Sequence, residues 1–117
     1  GEAKIINKKN HFFSRIHVED VANVLFSSLK NFKKKEIYNI SDNQPASAEE
    51  AAMYGVKLLG IDKPKTIEFH EIEGEMLKNF YKDSKKVDNK KMKTFFKYDL
   101  KYPTYEEGLN YIFDNCM

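Results

Sequence analysis

The sequence has few of the residues from which disulfide frameworks and metal centres are built. Its 117 residues include one cysteine, Cys116, beside the C-terminus, and three histidines. The histidines lack the i, i+4 spacing, and also the neighbouring cysteines and paired carboxylates, that are typical of a zinc site. We therefore expect no disulfide framework and no metal site, and the absence of disulfides favours a cytoplasmic location.

Glycine-rich loops and long apolar runs are also missing. None of the five glycines forms a G-x-G-x-x-G or Walker loop, the usual means by which a backbone cradles phosphates. No apolar run is long enough to span a bilayer, and no charged-then-apolar start resembles a signal peptide. The sequence therefore predicts no cofactor bound by this chain and no membrane partner.

Neither sign of charge dominates. The 20 lysines and arginines face 18 acidic residues, which leaves a net charge of +2. The acidic residues are interleaved with the lysines, so we expect no nucleic-acid partner. The length and the 41% hydrophobic content suit one small globular domain.

Strand-like and helix-like patterns alternate along the chain. Strands are predicted over residues 3–7, 12–18, 36–40 and 66–69. Apolar periodicity predicts a first helix after a cap at Asp20, which ends at Lys33–Lys35, and a second from Ser47 to Leu59. Three further helices are predicted around residues 73–81, after a cap at Asp88, and after Thr104. This order predicts an α/β fold with a small mixed sheet and helices packed on it.

Ser14, His17 and Asp20 are the residue types of a catalytic triad. In a strand, however, Ser14 and His17 point to opposite faces. This prevents the contact between nucleophile and base that such chemistry needs. We therefore expect no catalytic residues in the chain.

Several motifs, taken in order, resemble one family. Phe13–Ala22, FSRIHVEDVA, resembles the R-x-x-h-V-x-D-h-A segment in the C-terminal half of the extended short-chain dehydrogenases/reductases, the NAD-dependent epimerase/dehydratase family. Residues 37–42 and 45–50 resemble its Y-N-h strand, the loop and the serine-capped helix. Residues 102–109 resemble its closing P-x-h-x-x-G-L motif. Residues 84–89, SKKVDN, are similar to its atypical nucleoside-diphosphate-sugar epimerase-like members.

The resemblance implies that residues 1–117 are a single C-terminal, substrate-binding domain of a Rossmann-type enzyme. The glycine-rich loop and the Tyr-x-x-x-Lys pair of the family would lie upstream of Gly1, in an N-terminal Rossmann half that is this chain's partner. The implied parent activity is NAD- or NADP-dependent epimerase, dehydratase or reductase chemistry on a nucleotide-sugar or similar anionic substrate. Alone, the chain is expected to be inactive and to self-associate. A non-catalytic binding or assembly module that uses the same cleft is the alternative.

Arg15 is the single arginine beside nineteen lysines. Its planar fork binds a phosphate or carboxylate through two parallel hydrogen bonds, which an ammonium group cannot copy. Two interpretations stay open: Arg15 holds a substrate anion, or it forms a structural ion pair with an acidic residue. The resemblance adds Ser14 and His17 as polar neighbours in the substrate site, and Lys86 and Asn89 as lesser binding residues.

Overall fold

The computed structural model describes residues 4–116. The elements in chain order are β1 Lys4–Asn7, α1 Val18–Lys30, α2 Ala48–Leu59, β2 Lys65–Glu68, α3 Glu75–Phe80, α4 Lys90–Phe96 and α5 Tyr105–Cys116, with one 3-10 turn at Phe69–Glu71. The two strands pair in parallel, with Lys4 opposite Lys65 and Asn7 opposite Glu68. Helix α2 packs on β1 and on α5. The α/β fold class is confirmed; Ala3, the first residue of the predicted first strand, lies outside the described residues.

Helix α2 begins and ends where the sequence predicts. The hydroxyl oxygen of Ser47 accepts a hydrogen bond from the Glu50 backbone N–H at 3.0 Å, and the Glu50 carboxylate accepts one from the Ser47 N–H at 3.2 Å. This is a complete capping box. Gly60 ends the helix in the left-handed conformation with φ of 63°, which a residue without Cβ adopts freely.

Two of the predicted strands are wrong. Residues 12–17 are extended, but in this segment only Phe13 forms a bridge, antiparallel to Ala46. Residues 36–40 form no strand. A segment with strand-forming residues becomes a strand only when it can pair and pack with a neighbouring strand. Within residues 4–116 no such strand lies beside these two segments.

Helix α1 begins earlier than predicted, and its cap is a different residue. The helix starts at Val18, and His17 is the N-cap, with its Nδ1 accepting a hydrogen bond from the Glu19 N–H at 3.1 Å. Asp20 is therefore inside the first turn and is not the cap. The helix ends at Lys30, with Asn31 as its C-cap, so the predicted end at Lys33–Lys35 is at least three residues too late.

Asp20 instead joins α1 to the segment before α5. Its fully buried carboxylate accepts hydrogen bonds from the Tyr98 hydroxyl at 2.5 Å, the Lys101 N–H at 2.8 Å and the Tyr102 N–H at 3.0 Å. A buried carboxylate is stable only when hydrogen bonds of this kind replace its water shell. Asp20 thus makes long-range hydrogen bonds to residues 98–102 in place of the local N-cap contact that the sequence predicts.

The buried apolar side chains form two clusters. One contains Ile6, Ile72 and Tyr81, and the other contains Val24, Met92 and Leu100. The extended segment 12–17 runs between them, because Phe13 packs on the first cluster and Ile16 on the second. Arg15 lies between these two anchored residues.

The outer face of α1 is apolar and exposed. We call this the α1 apolar surface; it consists of Val18, Leu25, Phe26 and Leu29 on the helix and Phe32 just after it, with Val18 74% and Leu29 80% exposed. The predicted helical periodicity is present, yet of its apolar positions only Val24 is fully buried. The structure therefore leaves a stripe open that the sequence pattern predicts to face a core.

Candidate functional site

A cavity of about 500 Å³ lies between the N-terminal end of α1 and helices α2 and α5. We call it the Arg15 cavity. Most of its wall is apolar and comes from Ile16, Val18, Ala51, Ala52, Leu109 and Ile112. Its polar lining comes from Arg15, His17, Asp42, Thr104 and Tyr105. An apolar pocket with a few convergent polar groups is the usual form of a small-molecule site.

Arg15 brings a largely unused guanidinium to this cavity. One nitrogen donates a hydrogen bond to the Ala46 carbonyl oxygen at 3.3 Å. The guanidinium carbon lies 6.0 Å from the centroid of the Phe13 ring and 5.9 Å from that of Tyr105. Within residues 4–116 it forms no ion pair. Since a guanidinium carries five N–H donors, most of its capacity remains for a ligand.

His17 lines the same cavity and has a defined tautomer. Because its Nδ1 accepts the Glu19 N–H, the neutral ring carries its proton on Nε2. That Nε2 is buried and has no hydrogen-bond partner between residues 4 and 116. The ring lies on Tyr102 with centroids 4.0 Å apart, and a Cβ at Gly108 would come within 3.0 Å of its Cδ2. His17 thus caps α1 and packs on α5; a role in binding stays a prediction.

Asp42 is a cavity residue that the sequence did not single out. It is 4% exposed, and its Oδ1 accepts a hydrogen bond from the Gln44 N–H at 2.9 Å. Its own backbone N–H donates to the Arg15 carbonyl oxygen at 2.6 Å. Burial raises the pKa of the Asp42 carboxyl, and the nearby Arg15 charge opposes the shift. An aspartate before a loop proline was the available signal, but it indicates a turn as readily as a site.

Ser14 lies apart from Arg15 and His17. Its hydroxyl donates to the Lys85 carbonyl oxygen at 3.2 Å and accepts from the Val87 N–H at 2.8 Å. It therefore fastens segment 84–87 to the opposite side of segment 12–17. Ser14 thus lies outside the Arg15 cavity, but Ile16 and Val18, which a strand would place on the same face as Ser14, line that cavity together with Arg15 and His17.

Lys86 and Asn89 border a second opening of about 390 Å³, which Asp42 and Lys93 also line. Asn89 donates hydrogen bonds to the Ser41 carbonyl oxygen at 2.9 Å and to the Asn43 side-chain oxygen at 2.8 Å. The structure therefore brings Arg15 and His17 into one cavity and Lys86 and Asn89 into the next. Asp42 borders both.

Residues 4–116 bring no three His, Cys, Asp or Glu side chains together in a way that could hold a metal ion. None of the helices in that range is long and apolar enough to cross a membrane.

No protein-family model matches the sequence, and no curated protein matches it either. Similar solved structures do exist. A functionally unknown conserved protein from Silicibacter pomeroyi is 32% identical, with a TM-score of 0.92 over 97% of this chain and 42% of that one. The human epimerase family protein SDR39U1, solved with NADPH, is 20% identical, with a TM-score of 0.80 over 98% of this chain and 40% of that one.

A dTDP-glucose 4,6-dehydratase from Bacillus anthracis, solved with NAD, is 20% identical, with a TM-score of 0.68 over 96% of this chain and 34% of that one. The chain therefore has the fold found in part of this epimerase family protein and of this dehydratase, as the sequence motifs predict. It spans about two fifths or less of the length of each of these three proteins.

Proposed function

We propose that the chain is the C-terminal, substrate-binding part of an NAD(P)-dependent epimerase, dehydratase or reductase. In this proposal the Arg15 cavity receives an anionic substrate, such as a sugar nucleotide. The observation that carries the proposal is the Arg15 guanidinium, which lines an apolar cavity without a carboxylate partner among residues 4–116. Of the two interpretations of Arg15 that the sequence leaves open, this geometry favours the ligand.

The Arg15 side chain suits a phosphate or carboxylate, because charge-assisted hydrogen bonds are shorter and stronger than neutral ones. The apolar walls strengthen the interaction by lowering the local dielectric constant. The ring of Tyr105 offers a flat surface for the rest of the substrate. Ser14, Lys86 and Asn89 would act at the margin of the site, where they fix segment 84–89 and the neighbouring opening.

The cofactor would bind to the remainder of the enzyme, since the described residues do not suit a dinucleotide. A pyrophosphate prefers a helix N-terminus with free N–H groups and no negative charge. The starts of the three long helices carry acidic side chains instead: Glu19 and Asp20 in α1, Glu49 and Glu50 in α2, and Glu106 and Glu107 in α5. We expect calorimetric titration of this chain with NADH or NADPH to show no binding, and micromolar affinity would contradict the proposal.

The N-terminal Rossmann half would cover the α1 apolar surface. Exposed apolar area of this extent is typical of an interface, and the similar proteins are more than twice as long as this chain. The same partner would supply a neighbour for residues 36–40, whose strand-like sequence stays unpaired and leaves Ile37 81% exposed. The chain alone would then self-associate, as the sequence leads us to expect.

Light scattering at increasing concentration tests the proposed interface. The wild-type chain should self-associate, and Leu29→Lys should reduce the association because it places a charge in the centre of the surface. Met76→Lys is a matched control, since Met76 is 87% exposed but lies on α3. A wild-type chain that stays monomeric at high concentration, or equal effects of the two variants, would contradict this part of the proposal.

Arg15→Lys tests the proposed site. Lysine keeps the charge and most of the stem but loses the fork, so we expect pyrophosphate to bind more weakly by about 1–3 kcal/mol, which corresponds to about 5- to 150-fold. Calorimetry measures the affinity, and the melting temperature should change little. The control Lys57→Met, on the exposed part of α2, should leave the affinity within about twofold. A large fall in melting temperature with unchanged affinity would show that Arg15 is structural.

A further inference from the structure

Two side chains of opposite charge line the Arg15 cavity without forming an ion pair. Arg15 and Asp42 both border it, and the hydrogen bond from the Asp42 N–H to the Arg15 carbonyl oxygen, at 2.6 Å, fixes their backbones side by side. Nevertheless, the pair is not among the contacts within 4.0 Å that define ion pairs in residues 4–116. A gap therefore remains between the guanidinium and the carboxylate.

The Asp42 carboxylate has one oxygen to spare. Its Oδ1 holds the Gln44 N–H, whereas Oδ2 accepts no hydrogen bond from any residue between 4 and 116. The residue as a whole is only 4% exposed, but Oδ2 is not one of the fully buried unpaired polar atoms of residues 4–116, so it stays open to water or to a ligand. A ligand hydroxyl can therefore reach Oδ2 and donate a hydrogen bond to it in place of water.

The rest of the cavity wall is mainly apolar. Beyond these two charges its wall is formed mainly by aliphatic side chains such as Ile16, Leu109 and Ile112. Its volume of about 500 Å³ is within the range that takes a small organic molecule. A ligand that fits therefore has polar groups at one end and an apolar body.

We propose that the Arg15 cavity binds a small organic anion with an apolar body and a hydroxyl group next to its anionic group, and that Asp42 selects for the hydroxyl. The anionic group accepts from Arg15, the hydroxyl donates to Asp42 Oδ2, and the apolar body lies on the aliphatic wall. The inference rests on the proposed function of Arg15 as the anion-binding residue, and among the anionic substrates proposed there it favours one with an apolar body over a sugar nucleotide. Asp42 is a specificity residue in this arrangement and takes no part in bond making.

Paired calorimetric titrations with 2-hydroxyhexanoate and hexanoate test the inference. The two probes share the carboxylate and the alkyl chain and differ by one hydroxyl. We expect the wild-type chain to bind the hydroxy acid about 10- to 150-fold more tightly at pH 7, the scale of one hydrogen bond to a charged group. In Asp42→Asn the amide oxygen keeps the Gln44 contact, but the amide nitrogen that replaces Oδ2 is a donor and cannot accept the ligand hydroxyl. The preference for the hydroxy acid over hexanoate should therefore fall below about twofold. Arg15→Lys should weaken both probes by a similar factor.

Equal affinities of the wild type for the two acids, or a preference that survives in Asp42→Asn, would overturn the inference. If Asp42→Asn does not fold, the carboxyl ¹³C resonance of Asp42 in the wild type replaces it: the hydroxy acid should shift the resonance and hexanoate should not. If neither acid binds but pyrophosphate binding depends on Arg15, the inference fails and the proposed function stands. If pyrophosphate binding is also independent of Arg15, both fail.

Discussion

Replacing Asp20 should cost this fold a large part of its stability. The carboxylate is fully buried and accepts the backbone N–H groups of Lys101 and Tyr102. In Asp20→Ala both donors lose a charged acceptor, at about 1.5–3 kcal/mol each, or about 3–6 kcal/mol in total. The Tyr98 hydroxyl is left out of this sum because it is partly exposed and still accepts a hydrogen bond from Asn23 at 3.0 Å.

Asp20→Asn removes the charge and one hydrogen-bond acceptor while keeping the packing of the side chain, so it distinguishes these contributions to stability. The amide has nearly the same shape, but only one of its two terminal atoms is an acceptor. One of the two N–H groups should therefore lose its partner, which gives a loss of about 1.5–3 kcal/mol. A small domain has a total unfolding free energy of about 5–15 kcal/mol, so both variants should be clearly destabilised.

Urea unfolding followed by circular dichroism measures the effect. With a slope of about 1–3 kcal/mol per molar urea, the midpoint for Asp20→Ala should fall by about 1 M or more. Asp99→Asn is the matched control, because Asp99 is exposed and lies in the same segment; it should change stability by less than about 0.5 kcal/mol. If Asp20→Asn is as stable as Asp99→Asn, then Asp20 does not join α1 to the segment before α5, and the reasoning is wrong.

Three further outcomes are expected. Gly55→Ala should raise the melting temperature, because nothing lies within 4 Å of the new Cβ and alanine favours the helix by up to about 1 kcal/mol; Gly108→Ala should give no such gain, because its Cβ would meet His17 at 3.0 Å. Ser47→Ala should lower the free energy of unfolding by about 0.5–2 kcal/mol through loss of the capping box, and a loss below 0.3 kcal/mol would contradict the cap. Asp42→Asn should stabilise the chain at pH 7: burial raises the pKa of this carboxyl above its usual range, so its ionised form costs stability that returns as the pH falls through the raised pKa. The gain should therefore vanish in melting curves below about pH 4, and a gain that is constant with pH would contradict it.

Local signals were read correctly from the sequence. The Ser47 and Glu50 side chains, three residues apart, cap the start of α2. Gly60 ends the same helix as its C-cap. The neighbours Ser14 and Arg15 likewise have different surroundings, since Ser14 bonds to segment 84–87 and Arg15 lines the cavity. Such features depend on a few consecutive residues, so their sequence determines them.

Features that depend on distant partners were predicted less well. Asp20 is a residue type typical of an N-cap, but its carboxylate instead accepts hydrogen bonds from residues about 80 positions later. Asp42 joins the site through the backbone of Arg15, which no sequence pattern indicates. The periodicity of α1 predicts an apolar stripe and not what the stripe contacts, and the strand-like residues 36–40 find no neighbour within residues 4–116.

The position of the Arg15 guanidinium decides the central claim most directly. We propose crystals of the wild-type chain grown with sodium selenate, whose anomalous scattering locates a tetrahedral anion without ambiguity. The account predicts a selenate in the Arg15 cavity within hydrogen-bonding distance of the guanidinium, and no carboxylate paired with that side chain. Arg15 held in a two-pronged ion pair with an acidic residue of the chain, with no selenate beside it, would contradict the account and make Arg15 a structural residue.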